Sequence, residues 1–289
     1  MLLRHVENSH GLPIPVLSIA DFNSGHRIDG FREVIDATNK GVALRLTLDE
    51  TTDTSLATRI QVALRSVVAR PDQTILIVDG SNSHLDSETT TDVVASALLN
   101  AMEIGLWRRI VFQATSYPET NPATAGSMEV LPRPEFGIWC RVREHDSALR
   151  NLLMYGDFGA DSAKFHFRSG KCAPIPHFRI STQTEWLVSR GEQQASFEHS
   201  TKSAAKRIVE DKRYAGRAFS WGDNFLYERA ASLCTPGMAW RAVNMNHHLT
   251  QVLAGIGALE KFGVGAYAFT DSDDQSDMFA NADKADATP

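Results

Sequence analysis

Three residues in this sequence have the types and places that suit proton transfer: Asp79 at the end of ILIVDG, Asp157 just after LLMYG, and His247 in NMNHH. The two acids belong to a wider pattern. Five short apolar runs each lead to a carboxylate: PVLSIAD to Asp21, VALRLTLDE to Asp49, ILIVDG to Asp79, RIVFQATSYPE to Glu119 and LLMYGDFG to Asp157. Read as buried strands, these runs bring acids to the strand ends. α/β folds bind ligands there, because strand bodies are packed and only the βα loops vary freely. Hard oxygen donors of this kind suit Mg²⁺ or Mn²⁺, with Asp21, Asp79 and Asp157 as ligands and Arg45 or Arg179 gripping a phosphate. The chemistry would be phosphoryl transfer or phosphodiester hydrolysis. A plainer reading stands beside it, in which each Asp caps the helix that follows its strand.

His247 and its neighbour His248 sit near the start of a helical pattern, where adjacent residues point about 100° apart. One ring can therefore face a ligand as a general acid–base group while the other packs. The alternative is that Trp240, Arg241 and the His pair form a polar seam holding the C-terminal part onto a sheet. His177, Arg179, Trp186 and Arg190 lie along one extended segment. Two arginines and an aromatic ring suit an anionic or planar ligand such as a nucleotide, and Arg241 could join them. Equally, Arg179 and Arg190 could be paired with Asp157 or Asp223. Asp223, in the run SWGDNF, also reads as a favourable charge near a helix N-terminus.

The elements that must position these residues alternate through the first half. The run TSLATRIQVALRSVVAR places Leu56, Ile60, Leu64 and Val67 at helical spacing, and TDVVASALLNAMEIGLW does so with Val94, Leu98, Met102 and Leu106. With the Val/Ile/Leu-rich strands between them these are βα units of a parallel sheet. In the second half, HFRISTQTEWLVSRG reads as an extended segment or hairpin. FEHSTKSAAKRIVEDKRYAG reads as a helix closed by Gly216, and WGDNFLYERAAS as another. A last helix covers AWRAVNMNHHLTQVLAGIGALEKFG, with Val243, His247, Val252, Ile256 and Leu259 as its stripe.

Composition narrows the classes. A hydrophobic fraction of 43% and a charged fraction of 22% over 289 residues are those of an ordinary globular protein able to bury a sizeable core. No run is long and apolar enough for a membrane span, and the start MLLRHVENSHG lacks a signal-peptide core, so a cytoplasmic protein is expected. Cys140, Cys172 and Cys234 are isolated, without zinc or disulfide spacing. The net charge of −6 comes mostly from a tail in which six Asp face only Lys284, so a general basic surface for nucleic acid is not expected. Dinucleotide, P-loop, nucleophile-elbow and HExxH signatures are absent.

The runs YGDFG, PHFRIST followed by WLVSRG, AFSWGDNF and above all WRAVNMNHHLTQV resemble the phage "beta protein" family, found in phages and bacterial genomes; GVALRLTLDE and RRIVFQATSYPE are similar to it as well. The resemblance spans roughly Pro13 to Leu259. Members of that family open with further strand–helix units that have no counterpart here. The resemblance, with the strand count, implies a (β/α) barrel-like fold, partial here, with about five βα strands and a C-terminal helical extension. The expected division is 12–160 for the barrel-like part, 161–265 for the extension and 266–289 for a disordered acidic tail. A partial barrel leaves two strand edges and a core face open, so either a homo-oligomer or a complementing chain is the expected partner, or the strands form an open sheet whose edges the C-terminal helices cover. The resemblance implies a role in phage–host conflict and brings no catalytic residues. Two functional expectations follow: a hydrolase or phosphodiesterase acting on a nucleotide or nucleic acid, or a non-catalytic interaction component.

Overall fold

The computed structural model describes residues 14–19, 22, 25–38, 41–81, 83–85, 89–164, 175–232 and 240–260. Its strands are β1 (Val16–Ser18), β2 (Val42–Thr47), β3 (Thr74–Asp79), β4 (Arg109–Gln113), β5 (Met128–Pro132), β6 (Leu153–Gly156), β7 (His177–Ser181) and β8 (Glu185–Arg190). Its helices are α1 (Gly25–Thr38), α2 (Leu56–Ser66), α3 (Thr89–Ile104), α4 (Pro134–His145), α5 (Ser147–Leu152), α6 (Phe197–Val209), α7 (Trp221–Ala231) and α8 (Trp240–Glu260). The chain divides into two compact units. The first is Met1–Ser116 with Pro134–Phe158, and the second is Tyr117–Arg133 with Gly159–Pro289.

The first unit holds five parallel strands in the order β1-β2-β3-β4-β6. Strand order follows chain order, and right-handed crossovers then place successive helices on the same side of the sheet. Burial shows that asymmetry. Leu17, Leu44, Leu46, Leu76, Val78, Ile110 and Phe112 on one face are at most 1% exposed, whereas on the other Val16 is 46% and Met154 49% exposed. Leu56, Ile60 and Leu64 of α2 and Val94 and Leu98 of α3 are buried as their spacing predicts. On α4, Phe136 and Trp139 pack edge-on against Tyr155 of β6. Each such fully buried side chain contributes about 1.5–3 kcal/mol.

The expected α/β fold is present: the parallel strands form an open sheet, and no closed barrel occurs among the described residues. Two finer expectations are corrected here. α3 ends at Ile104, because Trp107 folds back to donate its indole N–H to the Ala101 carbonyl at 2.7 Å, which leaves Leu106 outside the helix and 84% exposed. β4 ends at Gln113, so Glu119 is no strand-end acid; it is exposed and lies in the second unit.

The second unit is an antiparallel sheet in the order β5-β8-β7, with α6, α7 and α8. The hairpin read from HFRISTQTEWLVSRG is present, closed by the Thr182 N–H donating to the Glu185 carbonyl at 2.8 Å. Phe178, Ile180 and Leu187 form its core with Ala204, Ala205 and Ile208 of α6, Leu226 of α7, and Trp240 and Val243 of α8. α6 and α7 begin at Ser196 and Ser220, whose hydroxyls accept the amide hydrogens of His199 and Asp223; caps of this kind contribute about 1 kcal/mol each. α6 stops at Val209, and Gly216 lies in the following turn at φ +92°.

Candidate functional site

One face of the β7–β8 hairpin carries His177, Arg179 and Ser181 opposite Arg190, Val188 and Trp186. The amides of Phe178, Ile180 and their partners make the ladder, so these are non-hydrogen-bonded pairs, the class in which facing side chains approach most closely. The hairpin therefore sets His177 directly across from Arg190, with Arg179 on the same face two residues along.

Arg179 is held firmly. One guanidinium nitrogen donates to the Ala160 carbonyl at 2.8 Å and to the Asp161 carboxylate, and the guanidinium carbon lies 4.5 Å from the centre of the Tyr117 ring. Burial pushes the Tyr117 phenol up to about 12, so the ring presents a neutral π-face to the cation. Arg179 Nε remains buried with no hydrogen-bond partner among the described residues. Native proteins rarely leave such a donor without a water, ion or ligand. Arg190 donates to the Ala123 carbonyl at 3.2 Å and meets no carboxylate among the described residues. Arg241 approaches the other oxygen of Asp161 at 4.0 Å. Asp161 thus serves two arginines, and a third stands nearby without an acid.

His177 sits between these charges. Its Nδ1 lies 3.3 Å from the Ile175 carbonyl, which can only accept, so the proton is on Nδ1 and Nε2 is left with its lone pair. Burial holds its imidazole down to about 4, with the Arg179 guanidinium and then Arg190 adding to the effect and Asp161 opposing it. The ring is neutral near pH 7.

Trp186 of the same face is fully buried, stacked on His248 at 5.1 Å and 10°, with the Tyr117 ring edge-on at 5.4 Å. The sequence offers it as a stacking platform for a ligand. The structure gives one of its faces to His248.

The NMNHH run of α8 binds the sheet together. β7 is an edge strand whose outward backbone groups need partners. Asn244 supplies them, accepting the Arg179 N–H at 2.9 Å and donating to the His177 carbonyl at 3.5 Å. Asn246 accepts the Gly222 N–H at 2.9 Å. His247 lies 2.8 Å from Asp223 through Nδ1 and 2.8 Å from the Ser181 carbonyl through Nε2. Both ring nitrogens are thus engaged by oxygen atoms of the seam. Asp223 therefore faces His247 and the Ser220 hydroxyl rather than an arginine. Gly222 is required where α7 crosses α8, since a Cβ there would come within 2.6 Å of the Val243 carbonyl oxygen. Sequence reasoning missed Asn244, whose role depends on β7 lying at the edge of the assembled sheet.

In the first unit, Asp79 closes β3 at 2% exposure. Arg45 reaches across from β2 and donates both Nε, at 2.6 Å, and a terminal nitrogen to one Asp79 oxygen, while the Ser81 N–H donates to the other at 2.8 Å. Thr47, Asp79, Gln113 and Gly156 share one register level across the sheet. Asp157 follows Gly156 and is half-buried, which puts it about two strand spacings, roughly 10 Å, from Asp79. Asp49 is exposed beyond the end of β2. Asp21 lies outside the described residues, and among these no group of three His, Cys, Asp or Glu is placed to hold a metal ion. Thr47 and Glu50 form a reciprocal cap, Glu50 accepting the Thr47 N–H at 2.9 Å. Of the sequence-selected residues, Arg45 pairs with Asp79, Arg179 and Arg241 meet at Asp161, His247 pairs with Asp223, and Arg190 lies across the hairpin from His177 with the Ala123 carbonyl as its partner.

No helix among the described residues is long and apolar enough to cross a membrane. No curated protein and no solved structure matches the chain. A family model does match, that of Beta protein, over residues 1–254. The motif resemblance in both halves and this match agree, and the chain belongs to the Beta protein family.

Proposed function

We propose that this protein binds a small phosphate- or carboxylate-bearing ligand on the β7–β8 face of its second unit, through Arg190 and Arg179. The observation that carries the reading is the charge balance: Arg190 meets no carboxylate among the described residues, and Arg179 keeps a buried Nε without a partner. A guanidinium desolvated in this way gains from an anion what it has lost from water. Arg179 arrives pre-oriented by Tyr117, Ala160 and Asp161, so little side-chain entropy is lost on binding. Among the expected ligands, a nucleotide would use this site through its phosphates. The reading is one of binding: His247, the acid–base group offered by the sequence, has both ring nitrogens engaged in the seam.

Calorimetric titration with inorganic phosphate, pyrophosphate, AMP and citrate tests it. Saturable binding of at least one of these, weakened tenfold or more by Arg190→Gln, is expected. Absence of binding across the panel, or equal affinity in the variant, would overturn the proposal.

A further inference from the structure

We propose that His177 is the specificity and control residue of this site: it takes a proton on Nε2 as a fully ionised anion seats between Arg179 and Arg190, so that binding is coupled to proton uptake. The inference rests on the anion-binding reading above and deepens it.

The geometry dictates the coupling. Nδ1 of His177 is committed to the Ile175 carbonyl, so Nε2 is the position that can gain a proton. His177 stands directly opposite Arg190 on β8 and shares its face with Arg179 on β7. Like charges directly across a strand pair are unfavourable. The remaining groups around the ring relieve this only in part. From α8 the Trp240 ring lies 6.2 Å away and offers no charge, and Asp161 is already engaged by Arg179 and approached by Arg241. An empty site therefore keeps the ring neutral, in accord with its depressed basicity. A dianion on the two arginines reverses the local field. It then favours a third donor, and protonated Nε2 is the group placed to provide one. By linkage, anything that makes the anion promote protonation makes protonation promote the anion. The site should hold divalent oxyanions more tightly as pH falls and discriminate against monoanions, which repay less of the cost of charging the ring.

Sulfate is the probe of choice, because it carries no titratable proton near neutrality and any proton taken up must go to the protein. The full chain is titrated with sulfate at pH 7 in two buffers of different protonation enthalpy, then across pH 8 to 5.5. The expected result is a fractional uptake of up to one proton per sulfate and an affinity that rises as pH falls, by no more than about tenfold per pH unit. His177→Gln should bind sulfate with no proton uptake and a flat pH profile. Should that variant fold poorly, the C2-proton shift of His177 in the unaltered protein, followed against pH with and without sulfate, should show its titration moving upward on binding. Binding without proton uptake, or a His177 titration that sulfate leaves in place, overturns the coupling and leaves the anion site standing. No sulfate binding at any pH overturns the anion site itself.

Discussion

Arg45 in the first unit and Arg190 in the second both project from strands of a sheet, yet they meet opposite fates. Arg45 spends two donors on the Asp79 carboxylate, one cation to one anion, and Asp79 is closed off further by the Ser81 amide. Arg190 has a backbone carbonyl as its partner, on a face where Arg179 and Arg241 already draw on Asp161. The difference separates charges that hold a fold together from charges that await a partner. A buried pair lowers energy only while both members are present, so its loss is read as instability. An uncompensated cation gives up little when removed, and its loss is read in binding.

The contrast is sharpest at the most enclosed pair. Asp223→Ala should cost about 3–5 kcal/mol in denaturant unfolding, because His247 would be left buried opposite no carboxylate. A cost under about 1 kcal/mol would mean that the pairing of Asp223 with His247 contributes little to the seam. Asp79→Asn should cost less, about 1.5–3 kcal/mol, because Arg45 is 38% exposed and can turn to water. Next comes acid. The folded state holds His177 near 4 against an ordinary 6.5, so the unfolded chain binds a proton first as pH falls. The contribution of His177 is thus neutral above about pH 6.5 and becomes destabilising between there and about pH 4, by a total on the order of 3 kcal/mol. The stability difference between the unaltered protein and His177→Gln should follow that curve in the absence of anions; a difference independent of pH would contradict the placement of the ring. The smallest stability effect belongs to Arg190→Gln, about 0.5 kcal/mol or less either way in thermal unfolding. A loss as large as that of Asp79→Asn would erase the distinction between the two arginines.

Much of the fold was legible from hydrophobic pattern. The parallel strands and the stripes of α2 and α3 follow from the Val/Ile/Leu runs and the positions of Leu56, Ile60, Val94 and Leu98, all of them buried. Closure was not legible, because the pattern of a strand is the same in a barrel wall and an open sheet. The end of α3 was misplaced for a local reason: Leu106 fits the helical period, but the neighbouring Trp107 finds its carbonyl partner only by leaving the helix. For the site, residue type pointed to Arg179, Arg190 and Arg241, and the hairpin register placed the first two on one face. Pairing was beyond sequence. Asp161, the acid that Arg179 meets, follows a loop whose path the pattern does not encode, and Asp223 turned to His247 across 24 residues. The edge-capping role of Asn244 depends on β7 being an edge strand, which is a property of the assembled sheet.

The direct test of the central claim sets the two arginines side by side. Arg45→Gln and Arg190→Gln, each shown to be folded by circular dichroism, are titrated with pyrophosphate under the same low-salt conditions as the unaltered protein. The account predicts that Arg190→Gln loses at least tenfold in affinity while Arg45→Gln binds as the unaltered protein does. The reverse order, with affinity lost in Arg45→Gln and kept in Arg190→Gln, would contradict it and move the binding site to the end of the parallel sheet.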